Sequence, residues 1–394
     1  MTSPPAGRDD RIDALRGLAL FGILLVNIQS FVWGGSNPAG YLQESSTDLD
    51  RALFFITVAF INMKFMPLFA MLFGAGFSLL LNKLHAISAA PRAVFRRRML
   101  FLFGFGLLHG LLFYFGDITH MYALAGMVLL RHADQDLASL RRSLALWWGG
   151  AIAFTVLLTW GLSGSVPDPS ELAAELEANF AAFTQQSFLG QLPTRASLFL
   201  DILIANLLGL PLVVALMLTG VLAHRSGWLA DRSARAWRVA LTVGLALGLP
   251  SALVYGELLY AEADTHLLGA YSAVAAVPGA ISVTLAFAYA AAFLARASPR
   301  VVAWLAPAGR MSLTNYLLQS LAMGALLSGW GFALAPRLDY AQTALLAVVI
   351  FILQLELSRW WLRRWKQGPL ERAWRLWTYH RMPPRDSSPV RSGE

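Results

Sequence analysis

Long apolar stretches separated by short polar segments recur along almost the whole chain. Each stretch is near the ~20 residues that a transmembrane helix needs. The pattern therefore predicts an all-α fold, a polytopic membrane helix bundle of about ten transmembrane helices within one integral membrane domain, residues 1–378. The tail, residues 379–394, is rich in Pro, Ser and Arg and is predicted to be disordered and cytoplasmic. The ten predicted spans are roughly 17–35, 64–83, 98–116, 118–132, 143–163, 198–222, 238–258, 269–294, 310–332 and 340–362.

Two segments depart from simple crossings. Residues 48–83 would form a helix of about 50 Å, too long for one crossing, so we expect a break near Asn62 with 48–61 at the outer surface. Residues 166–193 form the largest outer loop. Apolar residues recur there at helical spacing, which predicts an amphipathic surface helix or a lid; they are Leu172, Leu176, Phe180 and Phe183.

Composition supports the membrane assignment. Of the 394 residues, 57% are hydrophobic and only 14% are charged, against about 25% charged in a soluble domain. The chain has no cysteine, which excludes disulfides and thiolate chemistry. All but four of the 31 Lys and Arg residues fall on segments that a cytoplasmic N-terminus places inside, so we predict that both termini are cytoplasmic. The exceptions are Arg51, Lys64, Arg195 and Arg337.

The basic residues do not indicate nucleic acid. The segment after the last span alternates Trp with Arg, and this position favours an anchor on anionic membrane lipid. We therefore predict membrane lipid as a partner and no nucleic acid. The sequence leaves a homo-oligomer open.

The strongest candidates for chemistry lie between residues 100 and 126. His109 and Asp117 are ionisable groups in an otherwise apolar stretch. Such groups usually face a protein interior or a wet cavity, so we expect His109 to face an internal, outward-connected cavity with Lys64 or Asp117 within reach. The imidazole of His109 is suited to act as a general base. The structural alternative is a histidine that only packs between helices. Asp117 caps a new helix if the chain reverses at Gly116. With His120 they form no metal-ligand spacing motif, so no metal is predicted.

Further polar residues lie in or beside other spans. Lys64 either snorkels to headgroups or holds an anionic acceptor or an oxyanion in the cavity that we expect beside His109. Asn27 lies about 16 Å along the helix from Arg16. The remaining candidates have plain structural alternatives, namely orientation charges, local ion pairs and interhelical hydrogen bonds; they are Asp13, Arg16, Arg310, Asn315 and Gln319.

Several segments resemble the signatures of the YeiB-like family of bacterial inner-membrane proteins. They are RIDALRGLALFGILLVN, KFMPLFAMLFGAGF, HGLLFYFGDI with Tyr122, GRMSLTNYLLQS and QGPLERAWR, in matching order over residues 11–378. The family is grouped with transmembrane acyltransferases that use cytosolic acyl-coenzyme A. The resemblance implies a bacterial inner-membrane location. It implies functional positions at Asp13, Arg16, Asn27, Lys64, His109, Asp117, Tyr122, Arg310, Asn315 and Gln319, whereas His120 lies outside the family pattern.

The preferred hypothesis is a transmembrane acyltransferase that uses acyl-coenzyme A as donor and a small molecule or glycan as acceptor. His109, Asp117 and Lys64 would be catalytic. Arg16, Arg310 and the 96–98 arginine run would meet the phosphates of the donor. No acyl-enzyme serine motif is apparent, so direct transfer is expected. The alternatives are a transporter or channel for a small solute or lipid, and a non-catalytic assembly or regulatory subunit.

Overall fold

The computed structural model of the protein describes residues 9–33, 41–42, 45–162, 168–231, 233–265, 271–380 and 382–383. This part of the chain contains helices and no β-strand, as predicted. The helices are α1 (Asp10–Trp33), α2 (Asp48–Phe60), α3 (Phe65–Ile87), α4 (Pro91–Leu112), α5 (Thr119–Leu129), α6 (Leu137–Leu162), α7 (Pro169–Gln185), α8 (Leu192–Arg225), α9 (Arg235–Val243), α10 (Leu249–Thr265), α11 (Ser272–Ser282), α12 (Leu285–Arg296), α13 (Pro299–Arg310), α14 (Ser312–Leu327), α15 (Tyr340–Arg364) and α16 (Pro369–Tyr379).

Seven helical segments of the described residues are long and apolar enough to cross a membrane. Some combine two of the helices above, because the break between them is short. This result confirms a polytopic helical membrane bundle. The seven segments are Asp10–Val32, Asp48–Ile87, Leu137–Gly161, Leu192–Arg225, Arg235–Thr265, Val274–Arg296 and Tyr340–Arg364.

The other three predicted spans correspond to α4, α5 and α14. The first turns of α4 carry Arg92 and the arginine run 96–98, so too little of this helix is uncharged. Helix α5 has 11 residues and α14 has 16, which at 1.5 Å per residue gives about 16 and 24 Å. Both are shorter than the ~30 Å hydrocarbon layer. These three helices also carry the candidate site described below.

The predicted break near Asn62 is present. Helix α2 ends at Phe60 and α3 begins at Phe65, and Met63 between them has a φ of 61°. A left-handed backbone at a residue other than glycine is uncommon. The break therefore ends one helix and redirects the next. It does not decide whether 48–61 lies at the outer surface, which remains a prediction.

The predicted amphipathic helix of the large loop is α7. Its N-terminus is capped by Asp168, which accepts a hydrogen bond from the Ser170 amide at 2.8 Å. The Ser170 hydroxyl donates to the same carboxylate, and these bonds lower the pKa of Asp168 below its usual value. Phe183 in α7 is buried against Phe115, with ring centroids 5.9 Å apart. The loop thus covers the end of the α4–α5 region.

Close backbone contacts hold the centre of the bundle together. A Cβ on Gly74 in α3 would collide with the Met217 carbonyl of α8. A Cβ on Gly309 in α13 would collide in the same way with the Asp13 carbonyl of α1. Small residues allow such approach between helices in membranes, where packing replaces the hydrophobic effect as the driving force.

The C-terminal helix α16 docks on the start of α4. The indole nitrogens of Trp374 and Trp377 donate to the carbonyls of Arg98 and Arg97 at 2.8 and 3.1 Å. Leu376 and the outer part of Trp377 stay exposed, as expected for an anchor at a membrane interface. Residues 384–394 of the predicted disordered tail lie outside the described residues.

Candidate functional site

A tight reversal between α4 and α5 joins His109 to Asp117. Helix α4 ends at Leu112 and α5 begins at Thr119, so Asp117 folds back beside the last turn of α4. The His109 Nδ1 atom lies 2.8 Å from the Asp117 Oδ2 atom. The reversal at Gly116 considered from the sequence is thus present, and it makes the two residues direct hydrogen-bond partners.

The Asp117 carboxylate is fully buried and accepts five hydrogen bonds. The Thr119 amide and the His120 amide and Nδ1 donate to Oδ1, and the Thr119 hydroxyl lies 2.9 Å from Oδ1 and 3.0 Å from Oδ2. His109 supplies the fifth bond, to Oδ2. A buried carboxylate is tolerated only when it is bonded in this way. Because a carboxylate only accepts, both imidazoles must carry their proton on Nδ1.

The second nitrogen of His109 faces a serine from a distant part of the chain. The Ser320 hydroxyl in α14 lies 2.9 Å from His109 Nε2, although the two residues are 211 positions apart. With Nδ1 protonated, Nε2 is the acceptor and Ser320 is the donor. Ser320, His109 and Asp117 therefore follow the order of hydrogen bonds found in serine acyl-transfer enzymes.

The second imidazole is also held on both sides. His120 Nε2 lies 3.3 Å from the Asn206 amide nitrogen, which also donates to the Asp117 carbonyl at 3.1 Å. The two Nε2 atoms thus reach different partners and do not converge on one point. Within the described part of the chain no group of three or more His, Cys, Asp or Glu is arranged to hold a metal ion.

Two neighbouring helices fix the hairpin from outside. The Tyr114 and Ser30 hydroxyls lie 2.6 Å apart and connect the reversal to α1. From α8, the buried Arg195 donates to the Leu112 carbonyl at 2.8 Å. A cation at the last carbonyls of a helix is stabilising. The positions of His109 and Asp117 are therefore determined by α1 and α8 as well as by the hairpin itself.

Aromatic rings surround the imidazole and exclude water. Phe105 stacks on His109 with ring centroids 5.6 Å apart and planes 9° apart. Tyr316 lies on another side with centroids 4.8 Å apart. His109 is 2% exposed, and hydrogen bonds are electrostatically stronger in such surroundings than in water.

A cavity of about 90 Å³ adjoins this cluster. Tyr316 lines it and also contacts His109, so its ring separates the imidazole from the cavity. The Tyr316 hydroxyl is buried beside the Ile118 amide, and its proton has no acceptor among the described residues. His109 itself does not line the cavity, contrary to our expectation. The lining residues are Gly22, Ile23, Val26, Asn27, Ile61, Asn62, Met63, Phe65, Met66, Gly116, Ile118 and Tyr316.

Lys64 lies at the break between α2 and α3 and is fully buried. Its Nζ atom is 3.4 Å from the Val58 carbonyl and 5.2 Å from the centre of the Tyr255 ring. Its neighbours Met63 and Phe65 line the cavity, but Lys64 does not. The structure therefore places Lys64 behind the cavity wall and gives it no hydrogen bond to His109 or Asp117 in the described residues.

A second cluster lies at the opposite end of α14 and α1, which we call the arginine-rich end, formed by Arg16, Arg98 and Arg310. Arg16 bonds to the buried Asp13 at 2.9 Å, and the Arg310 Nε atom is 3.7 Å from the same carboxylate. Arg98 stacks on Trp374, with its guanidinium 3.4 Å from the ring centre. Three of the five predicted phosphate-binding arginines are therefore anchored at one end of the bundle.

Helix α16 completes this end. Glu371 accepts hydrogen bonds from the Leu313 and Thr314 amides at 2.7 and 3.1 Å, which satisfies the first amides of α14. Glu371 and Arg16 also lie within electrostatic range of Arg98. The helix that carries Ser320 is thus tied at its start to the arginine-rich end.

Three other predicted residues make contacts between helices. Tyr122 donates to the Met66 carbonyl at 2.7 Å. Asn315 donates to Ser358 at 2.9 Å, and Gln319 donates to Gln354 at 3.0 Å. These contacts fit the structural alternative considered from the sequence, interhelical hydrogen bonding. Asn27 differs from them because it borders the cavity.

The sequence analysis did not identify four residues of the cluster as functional. Ser320 and Tyr316 stand four positions apart in the segment NYLLQS, which places them on one face of α14. Their spacing was a usable signal, but the partner helix was not evident. His120 lies outside the family pattern and Asn206 belongs to no quoted motif, although both bind the Asp117 region directly.

The fold and the buried polar cluster define a polytopic helical membrane protein with a candidate site inside the bundle. A family model, "Protein of unknown function (DUF418)", matches residues 223–381. The chain is 30% identical to "Uncharacterized protein YeiB" of Escherichia coli K12, over 94% of this chain and 96% of the relative. It is 29% identical to "Uncharacterized 39.9 kDa protein in amylase 3'region" of Bacillus acidopullulyticus, over 96% of both chains.

A third relative, "Uncharacterized protein YxaH" of Bacillus subtilis 168, is 25% identical over 93% of both chains. No solved structure matches the chain. The coverage of these relatives is nearly complete, and the chain belongs to the YeiB-like family of membrane proteins.

Proposed function

We propose that this protein is a membrane acyltransferase in which His109 is the general base. The observation that supports this proposal is the placement of His109 between the buried Asp117 carboxylate and the Ser320 hydroxyl, beside a cavity. The carboxylate keeps Nδ1 protonated and leaves Nε2 free to take a proton from a hydroxyl. Proton transfer of this kind is what acyl transfer to an alcohol or amine requires.

The donor in this proposal is acyl-coenzyme A, bound at the arginine-rich end. Guanidinium groups bind phosphate through two parallel hydrogen bonds. Arg16 and Arg310 are partly exposed, with 23% and 35% of their side chains accessible, so a phosphate group can approach both guanidinium groups. We place this end at the cytoplasmic face of a bacterial inner membrane, with both termini cytoplasmic, because the basic residues gather there.

The acceptor in this proposal comes from the opposite side. The resemblance to transmembrane acyltransferases implies a hydroxyl or amine on an extracytoplasmic molecule, such as a lipid, a glycan or a small solute. The cavity beside His109 has room for about three water molecules at ~30 Å³ each, since its volume is about 90 Å³. That volume suits a short acyl group such as acetyl.

A transporter is the second candidate, and one observation favours it. The helix break at residues 61–64 borders the cavity and carries the buried Lys64. Discontinuous helices with polar groups at the break form binding sites in many transporters. In that function His109 and Lys64 would belong to a solute path and no acyl group would be transferred.

The test uses the purified full-length protein, radiolabelled acetyl-coenzyme A and a membrane extract as acceptor source. Wild type should transfer label, and His109→Gln should reduce the rate at least 100-fold, the lower range for loss of a general base. His85→Gln, an exposed histidine of α3, is the matched control and should retain the rate. Equal rates in wild type and His109→Gln would reject His109 as the base.

Donor binding is measured separately by equilibrium binding of acetyl-coenzyme A. Arg310→Glu should weaken it, whereas Arg337→Glu, an exposed arginine between α14 and α15, should not. Wild type that binds no acetyl-coenzyme A and transfers no label would contradict the acyltransferase and favour the transporter. Solute uptake into proteoliposomes would then become the decisive assay.

A further inference from the structure

We infer that Ser320 is a nucleophile that carries the acyl group as an ester between two half-reactions. This inference rests on the proposed acyl transfer and replaces the direct transfer expected from the sequence. The first argument is the direction of one hydrogen bond. Asp117 holds the His109 proton on Nδ1, so the Nε2 atom accepts from the Ser320 hydroxyl at 2.9 Å. An adjacent base in this arrangement activates a serine hydroxyl.

The Nε2 atom of His109 is already occupied by the Ser320 hydroxyl in this structure. Both nitrogens of His109 have partners, so an acceptor hydroxyl cannot reach Nε2 while Ser320 occupies it. Once Ser320 is acylated, its oxygen has no proton to donate. The Nε2 lone pair is then free for the acceptor. The same imidazole can therefore serve both half-reactions in turn, as in serine acyl-transfer enzymes.

Helix α14 also carries a hydrogen-bond donor, the Tyr316 hydroxyl, whose proton has no acceptor in the described part of the chain. Tyr316 precedes Ser320 by one helical turn, contacts His109 and lines the cavity. Its hydroxyl is buried beside the Ile118 amide, and the hydroxyl proton has no acceptor in the described residues. An unpaired buried hydroxyl costs free energy, and a carbonyl oxygen in the cavity would pair with it. Such a donor would stabilise the negative charge that develops on an acyl carbonyl.

Atoms and protons are conserved in both half-reactions. The Ser320 oxygen attacks the thioester carbonyl while its proton moves to His109 Nε2. The carbon–sulfur bond then breaks, the sulfur takes that proton, and coenzyme A leaves with a free thiol. In the second half-reaction the acceptor hydroxyl or amine gives its proton to Nε2 and attacks the ester. The bond between the acyl carbon and Ser320 breaks, and the proton returns to the Ser320 oxygen.

The alternative is a purely structural role, in which the Ser320 hydroxyl only provides a hydrogen-bond partner for the buried His109 imidazole. The two roles differ in chemical reactivity and not in geometry. A structural serine would resist electrophiles, whereas an activated one reacts with an alkyl fluorophosphonate by displacing fluoride. Reaction with the probe requires no knowledge of the acceptor, so it tests the nucleophile separately from the complete transfer reaction.

The experiment treats the purified full-length protein with two probes, an alkyl fluorophosphonate and acetyl-coenzyme A without acceptor. Mass spectrometry of the intact protein and its peptides locates any adduct. We expect both probes to modify Ser320 in wild type and not in Ser320→Ala. His109→Gln should slow modification at least 100-fold. Ser328→Ala, a buried serine at the end of the same helix, is the matched control and should react as wild type does.

Folding of each variant is checked by size-exclusion profile and thermal unfolding, and Ser320→Thr is added as a variant that keeps a hydroxyl. Unchanged label transfer by Ser320→Ala would overturn the covalent step and leave the proposed acyltransferase standing. A fluorophosphonate adduct on Ser320 in a protein that neither binds nor consumes acetyl-coenzyme A would support the nucleophile and reject the proposed donor. Wild type that transfers acetyl but yields no adduct with either probe would overturn the inference.

Discussion

Replacing Asp117 with Asn tests whether the carboxylate controls the proton on His109. The Thr119 amide and hydroxyl and the His120 amide all donate to Oδ1, so the amide oxygen of Asn should stay there. The amide nitrogen then faces His109 Nδ1, where the carboxylate Oδ2 atom accepted a bond of 2.8 Å. Two donors now meet, and His109 can relieve the conflict only by moving its proton to Nε2.

The structure allows the size of the effect to be estimated. A hydrogen bond to a charged group contributes about 1.5–3 kcal/mol, and the substitution replaces the charged bonds to His109 and His120 with neutral ones. We therefore expect the free energy of unfolding to fall by about 3 kcal/mol, within the range for breaking a buried charged contact. With the proton on Nε2, His109 cannot accept from Ser320. The wrong tautomer costs about 10⁴ in rate in serine proteases.

The assay is the rate of fluorophosphonate modification of Ser320, with unfolding in mixed detergent micelles measured on the same samples. Asp136→Asn is the control, since Asp136 is an exposed residue bonded to the Ser139 amide at the start of α6. It should match wild type in reactivity and stability. Asp117→Asn that reacts at the wild-type rate would refute the argument that the carboxylate sets the tautomer, whatever its stability.

Three further outcomes follow from other contacts. Tyr316→Phe should keep the ring that packs on His109 and remove the hydroxyl. We expect label transfer to slow 10- to 100-fold, with unchanged equilibrium binding of the donor. An unchanged rate would argue against a role of this hydroxyl in stabilising the oxyanion. Gly74→Val should clash with the Met217 carbonyl and abolish recovery of folded protein, which size-exclusion chromatography would detect. Glu371→Gln should weaken the hydrogen bonds to the first amides of α14 by about 1 kcal/mol. It should lower donor affinity more than the fluorophosphonate reactivity of Ser320, and an equal loss in both would contradict the separation of the arginine-rich end from the Ser320 site.

The local patterns of the sequence predicted much of the fold. Apolar runs identified the long helices, and the excessive length of 48–83 predicted the break that the structure places between Phe60 and Phe65. Hydropathy could not separate full crossings from short helices, because α5 and α14 lie in longer apolar stretches whose ends are turns. Those two helices carry much of the candidate site, so hydropathy alone could not reveal how the site is built.

The site was only partly predictable for a different reason. The His109–Asp117 pair needed one local fact, the reversal at Gly116, and the residues lie eight positions apart. Ser320 lies 211 positions from His109, and no periodicity within one helix indicates which helix packs beside another. Lys64 shows a similar limit. Its position at the end of a span left two directions open, toward the headgroups or toward the cavity, and its burial is evident only in the structure.

The stability of the bundle does not by itself explain the cluster. A network selected only to hold helices together would satisfy its members, because each unpaired buried polar atom costs about 1–3 kcal/mol. Two consecutive turns of α14 instead leave hydrogen-bonding groups unsatisfied among the described residues, namely the Tyr316 hydroxyl proton and the Gln319 Oε1 atom. The Asp117 carboxylate beside them is fully bonded. Full satisfaction of His109 and the Asp117 carboxylate, next to a cavity-lining hydroxyl whose proton has no acceptor in the described part of the chain, is the arrangement that the proposed acyl-transfer site requires.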